Sequence, residues 1–123
     1  MEKLFSDLYS ELHRNSYKNE DPLEKFLFTT KQNVILVFYI ASLKNKQATL
    51  EDICFNISPK VISRSTVQNI LKEGVRINFL QKETNPNDKR SKYYKLTKEA
   101  LKLIEEWAYR QKDVFSQIDK LAG

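Results

Sequence analysis

A mainly α-helical chain with one small β-hairpin is the fold class this sequence predicts, and three observations predict it. From Ser63 to Ile77, apolar residues at Val67, Ile70 and Leu71 follow the i, i+3, i+4 spacing of one buried helix face. The opposite face shows Arg64, Ser65, Gln68, Asn69, Lys72 and Arg76, which hydrogen-bond or carry positive charge. Next come two strand-like runs, Phe79–Thr84 and Lys92–Leu96, the second alternating and aromatic through Tyr93, Tyr94 and Leu96. Between them, Asn85-Pro86-Asn87-Asp88-Lys89-Arg90 is turn chemistry with cations at its tip. The third observation is where the charge lies. Residues 58–98 hold 10 Lys/Arg against 3 Asp/Glu, whereas residues 1–57 hold 7 against 8 and residues 99–123 hold 4 against 5. The whole net charge of +5 therefore comes from the helix–hairpin segment, the electrostatic footprint of a phosphate-binding face. Helix, hairpin and charge together predict a winged helix-turn-helix.

The elements follow in order. Residues 2–18 place Leu4, Phe5, Leu8, Tyr9 and Leu12 on one narrow stripe, which suits a helix leaning on another element or subunit. Asp21-Pro22 reads as an N-cap followed by proline at the first helical position, opening a short helix through Leu23, Phe26 and Leu27. Thr30 caps the next helix, Lys31 to Lys44. Val34 to Ile40 make it apolar nearly all round, as a central buried helix is. Its β-branched content also fits a strand, but its length and the closing Lys44 and Lys46 favour a helix. Thr49-Leu50-Glu51-Asp52 is a capping-box start for a short amphipathic helix through Ile53, Cys54 and Ile57, ended by Ser58-Pro59.

Ser63 caps the following helix, and a start at Ser58 with Pro59 in the first turn is the other option. Gly74 falls on its inward face, where glycine costs about 1 kcal/mol relative to alanine but lets a neighbour pack closely. Asn78 suits a left-handed C-cap. Thr97 caps a last helix from about Lys98 to Leu121. Its two adjoining apolar faces (Ala100, Leu101, Ile104, Ala108, Phe115 and Ile118; Leu103, Trp107, Val114 and Leu121) exceed what one small core covers. That excess, with the first helix, predicts a dimer surface.

The totals bound the rest. A length of 123 residues allows a single domain with a real core. Within it, 1–29 and 98–123 form a helical dimerisation region and 30–97 a DNA-binding core, with the wing at 79–97. Two glycines and three prolines imply long regular elements. The apolar run Val34–Leu43 is far short of the ~18 residues that cross a bilayer. Acidic Glu2 and Asp7 break any signal-peptide pattern, and one cysteine forms no intrachain disulfide, so a cytoplasmic location is expected.

A helix entering a major groove needs donors and acceptors on one face near its N-terminus. Ser65, Thr66, Gln68, Asn69 and Lys72 meet that requirement. Gln68 and Asn69 can pair with adenine, and Lys72 can reach guanine or a phosphate. Arg64, beside the capped N-terminus, suits a phosphate. At the wing tip, residues 87–92, Arg90 is the first choice for a narrow minor groove, with Lys89 and Lys92 beside it. Asp88 accepts turn hydrogen bonds or pairs with Arg90. Tyr93 and Tyr94 alternate, one inward and one outward.

Residues 63–97, and more loosely 30–101, resemble the winged helix-turn-helix regulators of the MarR family. The resemblance is carried by Ser65-Thr66-Val67 opening the recognition helix, Asp88-Lys89-Arg90-Ser91 at the wing, and Leu96-Thr97-Lys98-Glu99-Ala100 at the strand-to-helix junction. The small regulators of the SarA type have comparable length. The resemblance implies a homodimer built from the N- and C-terminal helices on a pseudo-palindromic operator. It also implies recognition from about 63–77 in the major groove and minor-groove contact through Arg90.

Enzyme chemistry has no support in the residues. His13 lies on a polar helix face without a second histidine or a cysteine cluster, and Cys54 reads as a small apolar filler rather than a redox thiol. No glycine-rich phosphate loop, nucleophile set or carboxylate pair stands out, and no cofactor or metal is expected. Phe28, Phe38, Tyr39 and Trp107 could line a small-molecule effector pocket, though packing explains them equally well. Two functions stay open: a sequence-specific regulator of double-stranded DNA, or a winged-helix module for protein interaction or assembly.

Overall fold

The computed structural model describes residues 1–17 and 21–122. The chain runs α1 (Glu2–Tyr17), α2 (Pro22–Leu27), α3 (Lys31–Ser42), β1 (Gln47–Thr49), α4 (Leu50–Asn56), α5 (Arg64–Arg76), β2 (Leu80–Thr84), β3 (Lys92–Leu96) and α6 (Lys98–Ala122). Mostly helical, with one small antiparallel sheet, it is a winged helix. The expected residue 18 at the end of α1 lies outside the described residues.

Side-chain caps set the helix starts, as the sequence predicts. The Asp21 carboxylate accepts from the Leu23 amide at 2.9 Å, and the Thr30 hydroxyl accepts from Asn33 N–H at 3.1 Å. Thr49 and Asp52 form a reciprocal capping box, each side chain accepting from the other's amide. Ser63 accepts from the Thr66 amide at 3.3 Å, so α5 begins at Arg64 and the earlier start at Ser58 is not used. The Thr97 hydroxyl accepts from Ala100 N–H at 3.2 Å.

α3 is helical, and Leu36, Val37 and Ile40 on it are fully buried at the centre of the core. It stops at Ser42, two residues before the expected Lys44. Lys46, in the left-handed region at φ 53°, still serves the helix end, because its ammonium donates to the Ala41 carbonyl at 2.6 Å. Ile53, Ile62, Val67, Leu71, Phe79 and Leu80 complete the centre of the core.

The sheet holds a strand that periodicity does not predict. β1 pairs with β3 through Gln47↔Lys95, Ala48↔Tyr94 and Thr49↔Tyr93, and the strand order is β1-β3-β2. Three residues are too few to alternate visibly; β1 exists because β3 presents an edge to it. The wing hairpin pairs Leu80↔Leu96 through Thr84↔Lys92. At the ends of the chain, α1 and α6 run antiparallel. Glu11 accepts from Arg110 Nε at 2.8 Å and from Gln111 at 3.2 Å, and Asp7 accepts from Gln117 at 2.7 Å.

Candidate nucleic-acid interface

α4 and α5 are the two helices of a helix-turn-helix, and the Ser58–Ile62 turn joins them. The Ser58 carbonyl accepts from Val61 N–H at 2.8 Å and Ile62 N–H at 3.1 Å. Buried Ile62 anchors the turn from below. Gln32, from the first turn of α3, donates to the Val61 carbonyl at 3.0 Å and ties the turn to the central helix. This brace was not legible in the sequence, since its partners stand 29 residues apart.

On α5, Val67, Ile70, Leu71 and Gly74 face the core, while Arg64, Ser65, Gln68, Asn69 and Lys72 are exposed. Thr66 is half-buried, and its hydroxyl accepts from Ser63 Oγ at 2.9 Å within the cap. The helix closes at Asn78, whose φ of 66° is the left-handed conformation expected of it. Phe79 N–H then turns back to the Gly74 carbonyl at 2.8 Å. That closure leads straight into β2 and fixes the wing beside the helix. Gly74 is what allows the approach: a Cβ there would lie 2.7 Å from Leu80 Cδ1 and 3.2 Å from Phe26 Cζ.

The wing tip is ordered by its own side chains. Asn85 is buried and accepts from Asn87 N–H at 2.9 Å. Asp88 accepts from the Arg90 amide at 3.0 Å and lies 3.4 Å from Arg90 Nε, so both roles expected of it are realised. The Asp88 carbonyl accepts from Ser91 N–H at 3.0 Å. Arg90 itself is 93% exposed. Lys89 is exposed at the tip, whereas Lys92 is half-buried with its ammonium 3.4 Å from Thr84 Oγ1.

A groove runs between α5 and the hairpin. It is made of two adjoining hollows that share Leu50, Lys82 and Tyr94: Gln68 and Lys72 line the one beside the helix, and Glu51, Asp88, Arg90 and Lys92 line the one beside the wing tip. Lys82 stands opposite Tyr94 in the ladder, with its ammonium 6.0 Å from the ring centroid. Lys82 is the residue that the sequence reading missed, although cross-strand register to Tyr94 could have found it. Tyr93 and Tyr94 are both half-buried, and it is Tyr94 that packs against the core, as their alternation predicts. Asn69 is not brought into this groove. It lies on the other flank of α5, in a separate cleft with Lys25, Phe26 and Arg76.

Charge pairing on the basic segment follows residue type. Arg64 reaches across to Glu51 on α4 with Nη2–Oε1 2.5 Å and Nη1–Oε2 3.3 Å. Arg76 pairs with Glu73 and Arg90 with Asp88. Hydrogen bonding from Arg64, then its charge, holds the Glu51 carboxyl below its usual range, and the pairing raises Arg64 in turn. Arg76 does the same to Glu73. Among the described residues, Lys72, Lys82 and Lys89 form no ion pair.

Away from this face, Trp107 packs against Phe28 and Phe38, with centroids 6.0 and 5.5 Å away. Cys54 is half-buried against the core. Among the described residues, no three His, Cys, Asp or Glu side chains gather as a metal site, and no helix is long and apolar enough to cross a membrane.

By sequence, the chain matches no protein-family model and no curated protein. Solved structures do match its fold. One is S. aureus MepR in a complex with DNA, at TM-score 0.64 and 19% identity, over 97% of this chain and 90% of that one. Another is Sco3205 of Streptomyces coelicolor, a MarR family transcriptional regulator in complex with DNA, at TM-score 0.56 and 17% identity, over 89% and 70%. Lactococcus lactis ZitR matches at TM-score 0.55 and 22% identity over 73% of this chain, which spans 57% of the ZitR chain. With its helix-turn-helix and adjoining three-stranded sheet, the chain has the winged helix-turn-helix fold found in solved MarR-family transcriptional regulators.

Proposed function

We propose that this chain is a transcriptional regulator that binds double-stranded DNA as a homodimer and recognises sequence. In this reading α5 enters the major groove and the wing tip at 87–92 meets the minor groove. Gln68 and Asn69 read base edges, and Lys72 reaches a base or a phosphate. Ser65, Thr66, Lys89, Arg90 and Lys92 hold the backbone or the narrow groove, Arg64 stands beside a further phosphate position but is paired with Glu51, and Lys82 and Tyr94 join them along the groove floor. The observation that carries the reading is the exposed, hydrogen-bonding face of α5 continuing into a groove lined by Lys72, Lys82, Arg90 and Lys92. The solved complexes of MepR and Sco3205 with DNA support it by likeness of fold.

The homodimer rests on apolar surface left open on the terminal helices. Phe5, Tyr9 and Leu12 on α1 are 62%, 66% and 67% exposed, and Tyr109 and Phe115 on α6 are 69% and 47% exposed. Apolar exposure of that extent on two packed helices supports an interaction surface there. In this division 1–29 and 98–123 dimerise and 30–97 binds DNA.

Duplex selection from random sequence, followed by a salt titration on the selected and an unrelated duplex, tests the function. Affinity should fall steeply with salt on both, with the selected duplex preferred. Arg90→Ala should weaken both alike and reduce the salt slope by about one per protomer, hence by about two for the homodimer. Gln68→Ala should cost about 1–3 kcal/mol of discrimination for a bidentate contact. Salt-insensitive binding, or none, would instead favour a protein-assembly module.

A further inference from the structure

We propose that Glu51 is a built-in competitor for the DNA phosphate that Arg64 would otherwise hold, and so limits the chain's affinity for duplex DNA. The inference rests on the DNA-binding reading above. Arg64 stands in the first turn of α5, where a backbone phosphate is expected beside a docked helix. Its guanidinium fork is already filled. Both terminal nitrogens meet the two carboxylate oxygens of Glu51, at 2.5 and 3.3 Å. Carboxylate and phosphate use that fork in the same bidentate way, so one excludes the other from the same donors.

The pair is poorly placed to act as a structural clamp. Arg64 and Glu51 are 53% and 71% exposed, and exposed ion pairs add little to stability in water. Helices α4 and α5 are already joined through buried Ile53, Ile57, Ile62, Val67 and Leu71. The other two arginine pairs of the basic segment are local, within α5 and within the wing turn. Among the described residues, Glu51 alone reaches from a different element to a cation of the reading helix, and it also borders the groove beside Lys82 and Arg90. Its charge therefore opposes an arriving phosphate directly and withholds one cation from it. Non-specific binding is essentially electrostatic, so its affinity falls when a cation is withheld.

The test compares the unsubstituted chain, Glu51→Gln, Arg64→Ala and the double variant on a selected and an unrelated duplex across a salt series. Glu51→Gln should bind both duplexes about two- to fivefold more tightly per protomer, the scale of one exposed ion pair, and steepen the salt slope by about 0.9 for each added phosphate contact, hence by about 1.8 for the homodimer. In the Arg64→Ala background the same substitution should leave the slope unchanged. Weaker binding by Glu51→Gln together with a lower melting temperature would overturn the proposal and make the pair a clamp. An unaltered slope, or equal steepening without Arg64, would overturn it as well. Failure of the unsubstituted chain to bind any duplex sinks the DNA-binding reading itself, whereas binding with an unaltered Glu51→Gln slope sinks only this inference.

Discussion

Gly74→Ala sets helix propensity against packing, and the two predict opposite signs. Alanine in a helix interior is favoured over glycine by about 1 kcal/mol, so a helix judged by itself gains stability. The new methyl, however, would meet Leu80 Cδ1 at 2.7 Å, Leu80 Cγ at 3.1 Å and Phe26 Cζ at 3.2 Å. Leu80 and Phe26 are 1% and 5% exposed, so neither can swing into solvent. Forcing an extra methyl into a filled core costs about 1–3 kcal/mol. The expected net effect is a loss of about 1 kcal/mol, or roughly 3–6 °C in melting temperature for a domain near this size. Urea unfolding followed by circular dichroism at fixed protein concentration reads it, since the midpoint of any self-associating chain moves with concentration. The strain falls at the seam between α5 and β2, so the variant should also bind DNA more weakly than its stability loss alone would produce. A Gly74→Ala chain more stable than its parent by the full propensity gain would refute the close-packing argument.

Other expectations follow from the same geometry. Thr97→Val keeps the shape but removes the acceptor for Ala100 N–H and the donor to the Asn78 carbonyl. It should cost about 1–2 kcal/mol in urea unfolding, and a neutral result would mean that the junction tolerates unpaired groups. Phe115→Glu places a charge in the exposed apolar strip of α6. Sedimentation should show the proposed homodimer replaced by a smaller species with a compact fold, and an unchanged size would count against an interface at this strip. Asp7, Glu51 and Glu73 all have lowered folded-state pKa values, caused first by hydrogen bonds from Gln117, Arg64 and Arg76 respectively. Their contribution is complete above the ordinary values of 3.8 and 4.5 and is lost as pH falls through the lowered ones. Unfolding midpoints should thus drop only in acid, and Glu73→Gln should lose less there than the parent. A drop near neutrality would need another group.

Local chemistry made much of this protein legible without coordinates. Asp21, Thr30, Thr49, Ser63 and Thr97 cap the helices they were expected to cap, because a cap is a bond between residues two or three apart. The same locality revealed the apolar girth of α3, the left-handed Asn78 and the Asp88 turn. The basic segment was visible as a simple count of charges along the chain. Features that join distant residues were settled by tertiary structure. β1 forms only because β3 offers it an edge, the turn between α4 and α5 is braced by Gln32 from another helix, and Lys82 enters the groove through its register with Tyr94. Pairing decided the same way which cations stand free: Arg64 answers to a carboxylate on α4, while Lys72 and Lys82 keep their charge for the groove. Sequence thus determined which residues could form each helix and where positive charge accumulates, since both depend on near neighbours. The folded arrangement alone decided which of those charges face outward unopposed, because that depends on what the fold brings alongside.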